Sequence, residues 1–277
     1  MSVEDLIKRR LSKSLYHRAY SRAFYTLYGV VWKEVRVSVR QFFTWRYPIR
    51  SLWRTLTIIA SSLNRLMLGR SVKFSYAYTG EDRIIESILK PNIRYEGFYV
   101  EVGCNHPVFL SNTYALYRKG WRGVCIDANN KLIKKYAYMR PRDKAVCALV
   151  SNIVTERSFY LAENNVLSTT EPEVAKTIQY LEQSVVTMKT QTLTSILEGL
   201  HAPSRFDLLS IDAEEHDLHV LRSLDFSRYT PSLVVVEDEN FNYNSPATHP
   251  IIMFMSDHGY QLAGYVLKNL YFTRVNA

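Results

Sequence analysis

Cysteine, glycine and long apolar runs are all scarce in this chain of 277 residues. The three cysteines, Cys104, Cys125 and Cys147, stand far apart with no CxxC pair. That pattern argues against a zinc ribbon, a thiol-redox motif or a disulfide framework. They read instead as small buried hydrophobes in a reducing compartment. A membrane span needs ~20 mainly apolar residues. The best window, residues 52–68, is broken by Arg54, Asn64 and Arg65. The start, MSVEDLIKRR, puts charge first and does not read as a signal peptide. There are no internal repeats and no low-complexity tracts, which excludes solenoid and fibrous architectures. The glycine pattern G-x-G-x-x-G, which lets a backbone approach a pyrophosphate, is also missing.

What is present is concentrated in residues 99–129, YVEVGCNHPVFLSNTYALYRKGWRGVCIDAN. An apolar run, 98–102, stops at Gly103, where the backbone must turn. A helix follows over about 111–119, Gly120 ends it, and a second strand, 123–126, runs into Asp127. A βαβ unit of this size places a ligand over its first turn and brings the second-strand acid near a ribose hydroxyl pair. The turn is Gly103-Cys104-Asn105-His106-Pro107, with one glycine and a proline. It is a poor pyrophosphate cradle. Glu101 before a single glycine suits a cationic, phosphate-free ligand, and S-adenosylmethionine is such a ligand.

Charge is unevenly spread. Residues 1–70 hold 14 Lys or Arg against 3 Asp or Glu, a net of +11, whereas the remaining residues hold 21 against 23, a net of −2. The basic segment is also aromatic (Tyr16, Tyr20, Phe24, Trp32, Trp45 and Trp53 among others) and reads as basic amphipathic helices broken near Tyr47-Pro48. Three uses compete: a helix pair on an anionic membrane surface, a helical cap or dimerisation arm that would make a homo-oligomer, and a nucleic-acid contact. No nucleic-acid motif is found, so no nucleic-acid partner is expected. We expect a helical extension over 1–72 and a catalytic domain over 73–277 in a cytoplasmic protein, which on the membrane reading of the extension is peripheral at the inner face of the membrane.

Within the second part, helices are expected at 81–90, 172–182, 193–200, 216–224 and 246–258. Strands are expected at 143–150, 156–161 (an edge strand), 185–190, 206–211 and 232–236, and a closing hairpin at 260–266 and 269–275 around Leu267-Lys268. Alternation of this kind predicts an α/β fold: a mostly parallel seven-stranded sheet with one antiparallel strand and helices on both faces, Rossmann-like.

Four blocks, SYAYTGED (75–82), VGCNHPVFLSNTYALYRKGWRG, RPRDKAVCALVSN (140–152) and LLSIDAEEHDLHVLRSLDF (208–226), with a shorter one, NVLSTT (165–170), resemble the FkbM-type S-adenosylmethionine-dependent methyltransferases over roughly residues 75–240. Two positions depart: Glu215 stands where the family commonly has glycine, and Asp217 where Glu is commoner. The loop there is expected to be shaped differently. The resemblance implies O-methylation of a hydroxyl on a sugar or glycoconjugate. The alternatives are O-methylation of a polyketide or other small natural product, and a non-catalytic, membrane-associated scaffold that keeps the fold.

Ligands of open α/β sheets bind at the carboxyl ends of the strands. Asp127 is therefore expected on the ribose hydroxyls, unless it caps the next helix, with Ala128 beside it. Glu101, Gly103 and Asn105 are expected at the methionine end, and Asp143, Ser151 and Asn152 near the adenine. Glu81 and Asp82 are expected at the cofactor amine, or else as first-turn charges of their helix. Asp212, Glu237 and Asp238, from neighbouring strand ends, suit a hard cation such as Mg²⁺, which would lower the acceptor hydroxyl's pKa. The other reading has Asp212 capping its helix and Glu237 and Asp238 binding substrate hydroxyls. His216 and His106 are the candidate bases, with Asp212 four residues before His216 and placed to orient its imidazole.

Overall fold

Successive residues of a strand face opposite ways, and the central strands here bury both sets. In β1 (Phe98–Val102), Val100 and Val102 pack into one apolar cluster and Tyr99 into a second; in β2 (Arg122–Asp127), Val124 and Ile126 join the first and Cys125 the second. A strand buried on both faces must be covered on both faces. The chain does this in a computed structural model that describes Leu56 and residues 75–91, 95–162, 183–214, 216–238, 241–242 and 245–275. The chain divides into two units at Ser75, and the sheet belongs to the second, Tyr76–Ala277.

One face carries α1 (Glu81–Leu89), α2 (Tyr114–Arg118) and α3 (Asn130–Met139), through Ile85, Leu116, Ile133 and Tyr136. The opposite face carries α4 (Leu193–Gly199), α5 (Asp217–Arg222) and α6 (Pro250–Asp257), through Leu193, Leu197, Val220, Leu221, Ile251 and Met255. Between them lies a seven-stranded sheet that also contains β3 (Lys144–Cys147), β7 (Arg205–Ile211), β8 (Thr230–Glu237), β9 (Tyr260–Val266) and β10 (Asn269–Arg274), in the order β3-β2-β1-β7-β8-β10-β9. The pairs from β3 to β8 are parallel, and β10 runs antiparallel to both its neighbours. This is the Rossmann-like arrangement expected from the sequence. The chain builds outward from β1 through β2 to β3, then restarts on the other side of β1 at β7. That reversal opens a crevice between the carboxyl ends of β1 and β7.

Several expected elements differ. The third strand breaks at Ala148, whose N–H still bonds the Asp127 carbonyl at 3.1 Å. The next two residues, β4 (Leu149–Val150), then pair with β6 (Gln183–Gln191), which also pairs with β5 (Glu156–Ala162). The expected edge strand thus belongs to a separate three-stranded sheet. The helix expected over 246–258 is a 3₁₀ turn, Pro246–Thr248, and then α6, with His249 extended between them. Pro250 disfavours a helical conformation in the residue before it. The expected hairpin is present, with Leu267 at φ 57° in its turn.

The extension over 1–72 apart from Leu56, the helix over 172–182, the NVLSTT block and Glu215 lie outside the described residues. No helix among the described residues is long and apolar enough to cross a membrane.

Candidate active site

The crevice at the reversal is a cavity of about 680 Å³, a size that suits a small-molecule or cofactor site. Its walls come from four strand ends, the residues before α1, and the β9–β10 turn.

Gly103 is the pivot. It takes φ 76°, and a Cβ there would lie 1.7 Å from the Asp212 carbonyl oxygen. Only glycine permits that backbone contact, and it brings the turn after β1 against the end of β7. The Asp212 N–H bonds the Val102 carbonyl at 3.0 Å.

The amides of the turn are already used. Gly103 and Cys104 donate to the Ile126 carbonyl at 2.9 and 3.1 Å. Asn105, at φ 46°, donates its N–H to Asp127 Oδ2 at 2.8 Å. None of these three is left for a phosphate.

Asp127 lines the cavity at the end of β2. Its Oδ1 accepts the Asn129 N–H at 2.7 Å, and Asn129, not Asp127, caps α3 by accepting from the Lys131 N–H at 3.0 Å. Burial raises the Asp127 pKa, opposed by the two backbone donors. A carboxylate offers about four lone-pair directions, so room remains for a hydroxyl pair. Gly103, Asn105, Ala128 and Glu81 line the same cavity, as expected. Glu81 accepts from the Thr79 N–H at 2.8 Å, from the Thr79 hydroxyl, and from Asn269 at 3.4 Å. Asp82 is bonded to the Tyr76 N–H at 2.8 Å.

Other expected residues lie elsewhere. Glu101 is buried on the Tyr99 side of β1, accepts from the Thr113 hydroxyl at 2.6 Å, and is not on the cavity wall. Burial pushes its pKa up to about 7, against the pull of Arg140. Asp143 faces the same interior, bonded to the Tyr99 hydroxyl at 2.8 Å, the Gly123 N–H at 2.9 Å and Arg140 Nε at 2.6 Å. Ser151 lies behind the wall, 3.1 Å from His216 Nε2, and Asn152 holds His219 at 2.9 Å. Ala148, Leu149, Val150 and Phe159 form the wall expected of Asp143 and Ser151.

His106 is no base here. It is not on the wall, and its Nδ1 accepts the N–H groups of Val108 and Phe109, both at 3.2 Å. Burial and Lys135 lower its pKa to about 4. His216 does line the cavity, but Asp212, Ala213, Glu214 and His216 are not helical and α5 begins at Asp217. The expected one-turn offset from Asp212 therefore does not form. Its ring stacks on His219 with centroids 4.4 Å apart, and burial, then His219 and Arg157, lower its pKa to about 4. It is neutral at pH 7.

Asp212 and Glu237 come together at the ends of β7 and β8, within hydrogen-bonding reach. Burial raises the Asp212 pKa, and the bond to Glu237 and its charge add to the rise. Asp212 Oδ1 is buried with no hydrogen-bond partner among the described residues. Asp238 instead faces His249 Nε2 at 3.0 Å. The three acids expected to hold Mg²⁺ do not converge, and no group of three or more potential ligands among the described residues is arranged to hold a metal ion.

Asn112, Glu214, Lys268 and Asn269 also line the cavity and were not anticipated. Lys268 sits in the β9–β10 turn, 3.7 Å from Glu237. Only the hairpin hinted at its position.

Sheet and crevice together define a Rossmann-like fold with a small-molecule site at its strand-order reversal. The Methyltransferase FkbM domain matches residues 101–262, more than half of the chain, and the chain belongs to that S-adenosylmethionine-dependent family. No curated protein matches it in sequence. Among solved structures, it is similar to a TehB-like SAM-dependent methyltransferase from Corynebacterium glutamicum (13% identity, 79% of this chain and 97% of that one, TM-score 0.37). It is also similar to the precorrin-6y C5,15-methyltransferase of Geobacter metallireducens (9%, 75% and 94%, TM-score 0.38). A third is the 1,6-didemethyltoxoflavin-N1-methyltransferase of Burkholderia thailandensis, solved with S-adenosylhomocysteine (11%, 80% and 88%, TM-score 0.37).

Proposed function

We propose that this chain methylates a hydroxyl oxygen of a sugar or glycoconjugate, with S-adenosylmethionine in the crevice between β1 and β7. The observation that carries the reading is the unpartnered Asp212 Oδ1, buried in the cavity wall beside the glycine turn. The donor set fits the cofactor: Asp127 for a ribose, and a turn whose first amides are spent, which suits a ligand without phosphate.

When bound, S-adenosylmethionine supplies an electrophilic methyl group on a cationic sulfur, and that C–S bond breaks as the acceptor oxygen forms its own bond to carbon. Asp127 and Asn105 fix the adenosine end, and the wall Ala148–Val150 excludes water from it. Asp212, with its unpartnered Oδ1 on the cavity wall, takes the acceptor's hydroxyl proton. General-base assistance of this kind contributes about 10²–10⁴-fold, and positioning contributes more. No metal is needed in this scheme, and Mg²⁺ has no converging ligand set among the described residues to support it.

Exposed Tyr78, Leu110 and Leu267 on the cavity lining favour a second reading, an acceptor with a large apolar body such as a polyketide. The basic stretch 1–72 suits an anionic membrane surface at the cytoplasmic side. Co-sedimentation of the full chain with anionic vesicles at low salt tests that role, and no binding removes it.

The main test is calorimetric titration of the full chain with S-adenosylhomocysteine, then methyl transfer to a panel of sugars and polyketides. Saturable one-site binding and a methyl ether product support the reading. Well-folded protein that binds no S-adenosylhomocysteine would instead make the chain a scaffold.

A further inference from the structure

We infer that Arg140 is a positioning residue: from beneath, its guanidinium sets the shape of the loop between β1 and α2 that walls the cofactor side of the cavity. The inference rests on the reading of that cavity as the S-adenosylmethionine site.

Arg140 follows α3 and is fully buried. A guanidinium has five N–H donors in a fixed plane, and all five directions are used. Nε bonds Asp143 at 2.6 Å. Nη2 bonds the Tyr99 hydroxyl at 2.7 Å and the Thr113 hydroxyl at 2.8 Å. Nη1 bonds the Ser111 hydroxyl at 3.2 Å and the Pro107 carbonyl at 3.3 Å. Three of the five thus end on one stretch of chain: Pro107, Ser111, and Thr113 at the cap of α2.

That stretch carries two residues in the left-handed region, Asn105 at φ 46° and Leu110 at φ 59°. Neither is glycine, and such conformations persist only where surrounding bonds over-determine them. Both residues line the cavity, as does Asn112. Arg140 itself is not on the wall. It acts one layer below, and the Ser111 hydroxyl it holds also accepts the N–H groups of Thr113 and Tyr114, at 3.3 and 3.1 Å.

Stability alone does not call for a buried cation, since an apolar replacement of similar volume is often neutral or better. What a planar, fully bonded fork provides is a single geometry. The rings of Tyr99, Tyr117 and Tyr136, with centroids 5.2–5.4 Å from the guanidinium carbon, keep water away from it.

The test compares the full chain with Arg140→Met, Arg140→Lys and Ser111→Ala. Two readouts are used: calorimetric titration with S-adenosylhomocysteine, and hydrogen exchange of the 105–112 amides. A misplacement of about 1 Å can cost about 10²-fold. Arg140→Met is expected to weaken binding on that order, and Arg140→Lys by about tenfold, because an ammonium cannot span the five partners. Ser111→Ala is expected to weaken it by about threefold, the loss of one hydrogen bond. In each, the 105–112 amides exchange faster while those of β1 and β7 do not. If Arg140→Met does not fold, Ser111→Ala, which keeps the charge, decides. Wild-type affinity together with wild-type loop exchange in Arg140→Lys or Ser111→Ala overturns the assignment. If wild-type protein itself binds no S-adenosylhomocysteine, the cofactor reading fails, and loop exchange alone then supports or overturns the role of Arg140.

Discussion

The two sides of the cavity are built on opposite plans. On the β1–β2 side nearly every polar group has its partner within the protein: the turn amides, both oxygens of Asp127, Nδ1 of His106 and the whole Arg140 fork. On the β7–β8 side, Asp212 and Glu237 lie on the wall together and one buried oxygen, Asp212 Oδ1, has nothing to bond among the described residues. A side that is finished before a ligand arrives suits a constant ligand, and a side left open suits the group on which chemistry is done. On the proposed reading, the cofactor is the constant ligand and the acceptor the variable one.

The comparison can be broken at its joint. Gly103→Ala forces a side chain into the Asp212 carbonyl at a positive φ. It is expected to cost about 3 kcal/mol or more and to damage both sides at once. Chemical denaturation reads the loss, and a stable variant with normal cofactor binding would show that the joint is loose.

Next comes the open side. Asp212→Asn is expected to lower turnover by about 10²–10⁴-fold while S-adenosylhomocysteine affinity stays near wild type. His216→Gln should change turnover by less than about tenfold, the scale of one lost neutral hydrogen bond. If the two losses were reversed in single-turnover measurements, the histidine would be the base.

The finished side should give the converse. Asp127→Ala is expected to weaken S-adenosylhomocysteine by about 10- to 100-fold, the scale of lost charge-assisted hydrogen bonds. Calorimetry with unchanged affinity would remove the ribose contact.

The smallest effect is in pH dependence. Glu101, raised from 4.5 to about 7, keeps its proton when folded and gives it up when unfolded, so it erodes stability as pH rises across that window. His106 and His216, lowered from 6.5 to about 4, do the reverse: the unfolded chain takes up their protons first, and stability is lost as pH falls from 6.5 towards 4. The windows overlap with opposite signs. Glu101→Gln should therefore make stability climb more steeply between pH 4.5 and 7, by about 1–3 kcal/mol in all. Thermal melts across that range check the slope.

Much of this was legible in the residues. Alternating strands and helices were enough for the sheet, the hairpin and the parallel core, because apolar runs bounded by glycine and acid carry that pattern locally. Asp127, Gly103 and Asp212, picked because strand ends are where such sheets bind ligands, do line the cavity. Glu101 was misplaced, although the alternation of β1 does set it opposite Val100 and Val102. His216 was linked to Asp212 as if one helical turn separated them, but the helix begins only at Asp217. Arg140 left no local sign at all, since its five partners span residues 99 to 143 and meet only once the sheet is formed. The reason Gly103 must be glycine was also hidden, because its neighbour in space is 109 residues away in sequence.

The contact between Gly103 and Asp212 works as a fixed spacer. With backbone against backbone there is no side chain whose rotamer could lengthen or shorten it. On the proposed reading, the distance between the seat of the methyl donor and the point where the acceptor's proton leaves is therefore set by main-chain geometry. On that reading, rebuilding the loops beyond Asp212 and Glu237 changes the acceptor without recalibrating the reach of the transfer.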